Sequence, residues 1–409
     1  MTEPRRHGGT EAVSLASDLS EASPPVLQDA VRGWGTDTAS RPSGVTASVP
    51  PCLRGGSRRW LAASRGASVL RGMLLACALT VVAGCGGGPD LRVFVWSDYV
   101  PREVYEEFER ETGTTVEEVP FASNEDMAAQ LRAGATGYDL VCPTDYMVER
   151  LAREGLLLEL DHSRLENLGH LAPRFRRPDW DPELRHCVPF AWGVTGIGYD
   201  AERVVPPPTS WAALFDPGRA APFAGRIGML DDRREVVGAA LIHLGLSPNS
   251  TDPAELARAE AVVLAQKAWV AAYDSEGYAD GVAADALELA QGWNGTFAGA
   301  AVDAPKVAFA VPQEGTLYYV DNWAVPRGAR NQELAHRFVD FLLRPEVAAR
   351  IVNHLRYPSC NEAARVHVDP EVLASVTYAL PEGVPLHRLR DLGEATELYE
   401  RIWQRLKAE

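Results

Sequence analysis

Lysine is nearly absent from this chain: of 40 basic residues only Lys267, Lys306 and Lys407 are lysine. We attribute that bias to genome composition. The motifs that announce common chemistries are missing too. There is no glycine-rich phosphate loop, no HExxH, no GxSxG and no CxxC, and the nine histidines (7, 162, 170, 186, 243, 336, 354, 367 and 387) fall at no ligand spacing. These absences argue against a metal or nucleotide enzyme; neither cofactor nor metal is expected. Positive charge is in deficit. The net charge is −16, but the first 85 residues hold nine Arg against six acids, a net of +3, so residues 86–409 carry −19. So acidic a body argues against nucleic acid as a partner. It suits a cationic small ligand, although acidity also serves solubility.

Long apolar runs are lacking as well. The longest, 72–84, is too short to span a bilayer but has signal-peptide length. Four arginines (58, 59, 65, 71) precede it, and it ends in Val82-Ala83-Gly84-Cys85 followed by three glycines. This resembles the lipobox of bacterial lipoproteins, in which the Cys becomes the lipidated first residue. An ordinary signal peptide with an incidental Cys85 is the alternative. Residues 1–57, rich in Ser, Gly, Pro and Ala without apolar periodicity, read as a disordered leader or a start assigned too early. Residues 58–85 then form the lipoprotein signal peptide. Of six cysteines, Cys142, Cys187 and Cys360 would remain unmodified. They match no metal motif and read as small buried hydrophobes, with room for one disulfide in an oxidising compartment.

With 409 residues, 46% of them hydrophobic, the chain is too long for one core, and two domains are expected. From residue 91 short β-rich runs alternate with helical stretches. Strands are expected at 91–96, 115–119 and 138–142, with helices at 102–112, 124–132 (capped by Ser123) and 146–154. That order implies a parallel sheet. A strand at 193–199 leads to a second lobe. It has a strand at 226–230, helices at 232–244 and 253–272, a β-like run at 286–293 turning at Asn294-Gly295, and strands at 306–311 and 318–325. Helices at 333–343, 346–355 and 394–406 close the chain.

Several clusters could carry function. Trp96-Ser97-Asp98-Tyr99 sits at the carboxyl end of the first strand, where open α/β sheets bind ligands. Rings flanking a carboxylate suit an organic ammonium, although Trp96 and Tyr99 could simply close the core. Asp232 and Glu235 share a face at a helix start; they could hold an ammonium or form a capping box. Trp293 ends a β-like run, and core packing is its bland reading. Tyr319 and Asp321 share one strand face, and an unpaired buried acid there would be costly. Tyr357-Pro358-Ser359 reads as a turn.

Taken in order, these stretches resemble the spermidine/putrescine periplasmic binding proteins of ABC transporters, from about Leu91 to the C-terminus. The residues carrying the likeness are Trp96 to Pro101, Ser123-Asn124-Glu125, Tyr138 to Val141, Trp192-Gly193, Thr209-Ser210-Trp211, Asp231 to Val236, Trp293-Asn294-Gly295, Val320-Asp321, Phe341 to Pro345 and Tyr357-Pro358. The resemblance implies a two-lobed α/β periplasmic-binding-protein fold (type II-like), with mixed sheets flanked by helices and hinge-crossing strands. Lobe 1 would be 90–195 and 322–365, and lobe 2 would be 196–321 and 366–409. It also implies a polyamine in the interlobe cleft. Trp96, Tyr99, Trp293, Tyr319 and Tyr357 would form the aromatic box; Ser97, Asp98, Thr144, Tyr146 and Ser275 the polar contacts; and Asp232, Glu235 and Asp321 the acidic anchors. Tyr319 stands where spermidine-type members have Trp, Asp98 where they have Glu, and Leu389 near their late Gln. Ser97-Asp98 is closer to putrescine-type members; Asp232, Glu235 and Thr296 are closer to spermidine-type ones.

The function so implied is a monomeric, extracytoplasmic solute-binding protein, in the periplasm or at the cell surface. It would be lipid-anchored to the membrane at Cys85 and would deliver spermidine or putrescine to an ABC permease without doing chemistry. Two alternatives stand beside it: a polyamine sensor presenting ligand to a membrane receptor, and a carboxylate-pair glycosidase using Asp232 or Glu235 with Asp321.

Overall fold

The first strand forms because Val93, Phe94 and Val95 are β-branched or aromatic and are all buried. In the computed structural model, which describes residues 88–134, 137–378 and 380–408, ten strands build the core. They are β1 (Leu91–Trp96), β2 (Val116–Phe121), β3 (Leu140–Val141), β4 (Cys187–Asp200), β5 (Ile227–Met229), β6 (Val270–Tyr273), β7 (Leu289–Trp293), β8 (Val307–Ala310), β9 (Thr316–Ala324) and β10 (Leu386–Arg388). Their order is β2-β1-β3-β9-β4-β7-β5-β6, with β10 added to β9 and β8 to β4. Residues 1–85, read above as leader and signal peptide ending at Cys85, lie outside the described residues.

The parallel pairing expected of the first half holds for β1 with β2 and with β3. β9 then enters antiparallel to β3 and β4, so the sheet is mixed. β4 is the axis of the molecule: all fourteen of its residues are buried. Its first half, up to Val194, pairs with β9. Its second half, from Thr195, pairs with β7 on one edge and β8 on the other.

Two local expectations are corrected. The helix expected over 253–272 ends at Gln266, and Val270–Tyr273 becomes β6, a parallel partner of β5. Asn294-Gly295 does not turn a hairpin; it opens a helix, Asn294–Asp303. The topology explains this. β7 and β8 both run antiparallel to β4 and are therefore parallel to each other. Parallel strands need a crossover, not a two-residue turn. Helix starts were legible: Ser123 Oγ accepts from the Asp126 N–H at 3.1 Å, as expected of a cap.

Cys142, Cys187 and Cys360 are buried free thiols. Among the described residues, no helix is long and apolar enough to cross a membrane. No group of three or more His, Cys, Asp or Glu among them could hold a metal ion.

Candidate functional site

Side-chain alternation along β4 assembles the site. Ala191 pairs with Asp321, Gly193 with Tyr319 and Thr195 with Trp293. Positions 191, 193 and 195 share one face, and so do their cross-strand partners. An acid and two rings thus stand side by side on one surface, contributed by β9 and β7.

Asp321 anchors one end. It is buried, and its carboxylate accepts two bonds: from Tyr99 Oη to Oδ2 at 2.9 Å, and from Thr144 Oγ1 to Oδ1 at 3.0 Å. Tyr99 follows β1, and Thr144 follows β3; Asn124 fixes Thr144 by accepting its backbone N–H at 3.0 Å. Burial pushes the Asp321 carboxyl up to about 6, while the Tyr99 and Thr144 hydroxyls hold it back. No cation is among the groups that set its charge. This is a carboxylate with hydroxyl donors around it but no counter-ion.

Glu235 anchors the other end. Asp232 caps its helix, Arg233–His243, with Oδ1 accepting the Arg234 and Glu235 N–H groups at 2.8 and 3.1 Å. Glu235 does not reach back to complete a capping box. It accepts from Thr195 Oγ1 at 2.8 Å, beneath β4 and beside Trp293. Burial, with the Asp232 charge, pushes Glu235 up to about 8; Thr195, Trp293 and Arg234 oppose this. The Arg234 guanidinium is engaged elsewhere, with Arg390 O at 3.2 Å and Asn249 Oδ1 at 3.0 Å. Along β4 the two acids stand at positions four residues apart, about 13 Å at strand rise.

Rings connect these ends. Trp293 and Tyr319 meet edge to face with centroids 6.3 Å apart, and Tyr319 meets Tyr357 the same way at 6.3 Å. Tyr278 backs Trp293 at 6.0 Å. Tyr357 Oη shares a hydrogen bond with Thr296 Oγ1 at 2.8 Å and accepts the Thr296 N–H at 3.3 Å. The start of the crossover helix therefore holds the outer ring in place.

The remaining candidates lie around this row. Trp96 is half-buried, against Phe121, and its Nε1 has no hydrogen-bond partner. Tyr146 is buried, and its hydroxyl donates to Glu125 at 3.4 Å; Arg233 pairs with the same carboxylate at 3.3 Å. Ser275 is half-buried, and its hydroxyl has no partner. Ser97 and Asp98 are exposed and outside the cluster. The Asp98 side chain is 88% exposed, with His354 Nε2 3.2 Å from its Oδ1. Leu389 is buried. Sequence reasoning missed Thr195 and assigned no role to Glu125. The signal for Thr195 was its place two residues after Gly193 on an alternating run.

Comparison with known proteins bears on the family and the fold. The family described as bacterial extracellular solute-binding protein matches residues 103–375. The putrescine/cadaverine-binding protein of Pseudomonas aeruginosa is 33% identical over 346 residues, covering 82% of this chain and 98% of that protein. The spermidine/putrescine-binding periplasmic protein of Escherichia coli is 34% identical over 346 residues, covering 83% and 98%. Among solved structures, a lipoprotein of Treponema pallidum superposes with a TM-score of 0.72 at 30% identity, covering 78% of this chain and 99% of that one. By match length and identity alike, the chain belongs to the bacterial extracellular solute-binding protein family.

Proposed function

We propose that this protein binds a polyamine, spermidine or putrescine, and delivers it to an ABC permease. One observation carries the reading: Asp321 and Glu235, both buried and neither paired with a cation, flank a row of aromatic rings on one face of the β4 register. Ammonium groups would neutralise the acids, and the methylenes between them would lie on Trp293, Tyr319 and Tyr357. Asp232 and Glu125 add negative potential at the Glu235 end. Cation–π contacts contribute roughly 0.5–2 kcal/mol each, and charge-assisted hydrogen bonds roughly 1.5–3. A few of each, less ordering costs, reach the roughly 8 kcal/mol of micromolar binding.

In this reading the protein does no chemistry. The lobes 90–195 with 322–365 and 196–321 with 366–409 close on the ligand like a hinge, and the closed form docks on the permease. The protein works as a monomer outside the cytoplasm, held to the membrane by a lipid on Cys85. The relatives named above favour transport over either reporting to a receptor or glycoside hydrolysis.

Titration calorimetry with putrescine, spermidine, spermine and neutral amino acids tests the ligand class. Heat from putrescine or spermidine and none from amino acids is expected; silence from every amine would end the reading. Radiolabelled palmitate incorporated into wild type and lost in Cys85→Ala tests the anchor.

A further inference from the structure

Glycine is a poor choice inside regular structure. In a strand it leaves nothing to pack and marks a place where something approaches the backbone closely; in a helix interior it is roughly 1 kcal/mol worse than Ala. Yet Gly193 lies in β4, and Gly295 in the helix Asn294–Asp303, directly beneath the ring row. Neither is among the residues with positive φ, so the backbone does not require glycine at either place. Space does. A Cβ on Gly193 would overlap the Tyr319 hydroxyl and lie 2.7 Å from its Cζ, with Asn294 Oδ1 at 2.9 Å. A Cβ on Gly295 would overlap the edge of the Tyr357 ring and lie 2.6 Å from its Cγ. Carbon atoms in good contact sit about 3.5–4.0 Å apart. Further along β4, Gly196 and Gly198 meet Phe309 and Phe297 in the same way. Those two glycines seat the partly buried Phe309 and the core ring Phe297, while Gly193 and Gly295 seat two of the three rings in the row.

We propose that Gly193 and Gly295 are positioning residues for ligand recognition: their missing side chains let the hydroxyl end of Tyr319 and one edge of the Tyr357 ring come right up to the backbone, which sets how far the rings stand off it and how thick a cation they accept. This rests on the polyamine reading above. A methyl group at either position lifts the ring off the backbone, towards the ligand side. The ring row is continuous through Trp293, Tyr319 and Tyr357, so lifting one ring misaligns its neighbours.

The test is a double-mutant cycle. Affinities for putrescine and spermidine are measured calorimetrically on wild type, Gly193→Ala, Tyr319→Leu and the double variant. Gly193→Ala is expected to weaken binding tenfold or more. In the Tyr319→Leu background, where no phenol reaches residue 193, the same change is expected to shift affinity less than twofold. A merely structural role would lower the melting temperature and leave the affinity of the folded protein alone. Wild-type affinity in Gly193→Ala, or the full tenfold loss persisting without Tyr319, overturns the proposal while leaving the polyamine reading intact. If wild type binds neither amine, both fall together. Should Gly193→Ala fail to fold alone, Gly295→Ala with Tyr357→Leu carries the same cycle, with the same outcomes deciding it.

Discussion

The Tyr99 hydroxyl donates to Asp321 at 2.9 Å across 222 positions of sequence. The bond exists because β3 lies between β1 and β9 and pairs with both. The segment after β1 and the middle of β9 therefore converge on one point. With Thr144 on its other oxygen, Asp321 is held in a fixed orientation before any ligand arrives.

Asp321→Asn removes the charge and keeps the shape. It is expected to weaken polyamine binding at least tenfold by calorimetry. The ligand-free protein should become more stable, by about 1–3 kcal/mol in chemical denaturation, because a buried carboxylate without a counter-ion is costly. Near-wild-type affinity would remove Asp321 from the anchor role.

Both acids make stability depend on pH. Their carboxyls stand near 6 for Asp321 and near 8 for Glu235 in the folded chain, against roughly 3.9 and 4.3 unfolded. The folded state thus holds more protons than the unfolded one across this window. The stabilisation is complete below about pH 4 and is lost as pH rises through 6 and then 8. The melting temperature of the ligand-free protein should carry this downward component between pH 4 and 8, and Asp321→Asn with Glu235→Gln should flatten it. A profile unchanged by the double variant would refute the assignment.

Ligand binding should in turn expel the Glu235 proton. Asp232, Arg234, Thr195 and Trp293 face that carboxyl, and Tyr278 lies within its field. None of them supplies the full counter-charge that an ammonium would. Calorimetry at pH 7 in buffers of different ionisation heat should show close to one proton released, and none in Glu235→Gln.

Trp293→Ala and Tyr357→Ala should each weaken binding roughly 2- to 30-fold, the range of one cation–π contact. Tyr357→Phe keeps the ring and loses only the hydroxyl's contacts, two with Thr296 and one with Tyr319, so its loss should stay under threefold. By contrast, Asp98→Ala should change affinity less than threefold, because that side chain faces solvent beside His354. A tenfold loss in Asp98→Ala would place it in the site after all.

Arg388 gives a test of stability. Its side chain is 5% exposed and pairs with Glu149 at 2.8 Å and with Asp179 at 3.0 Å. Arg388→Met takes the cation from Glu149 and from the buried Asp145, while Asp179, half exposed, keeps Arg390; the change should cost about 2–4 kcal/mol. Denaturant titration measures this directly.

Much of this was legible in the sequence, where the signal was local. Period-two alternation put Tyr319 and Asp321 on one face, and Ser123 marked a helix start. Asp232 was an evident cap candidate. What escaped was set by distant pairing. Asn294-Gly295 has the chemistry of a tight turn, but β7 and β8 are parallel and a helix must join them. The partner of Glu235 is Thr195, forty residues away; nothing near either residue announces the other. Asp98 sits in the most suggestive tetrapeptide of the chain, yet it faces outward with φ near 54°. Sequence proximity to two rings says nothing about which way a side chain leaves a turn.

β4 changes partners between Val194 and Thr195, yet Ala191, opposite Asp321 on β9, and Thr195, whose hydroxyl holds Glu235 of the helix Arg233–His243, lie on one uninterrupted backbone. The stretch from Ala191 to Thr195 thus acts as a ruler between the two carboxyl groups.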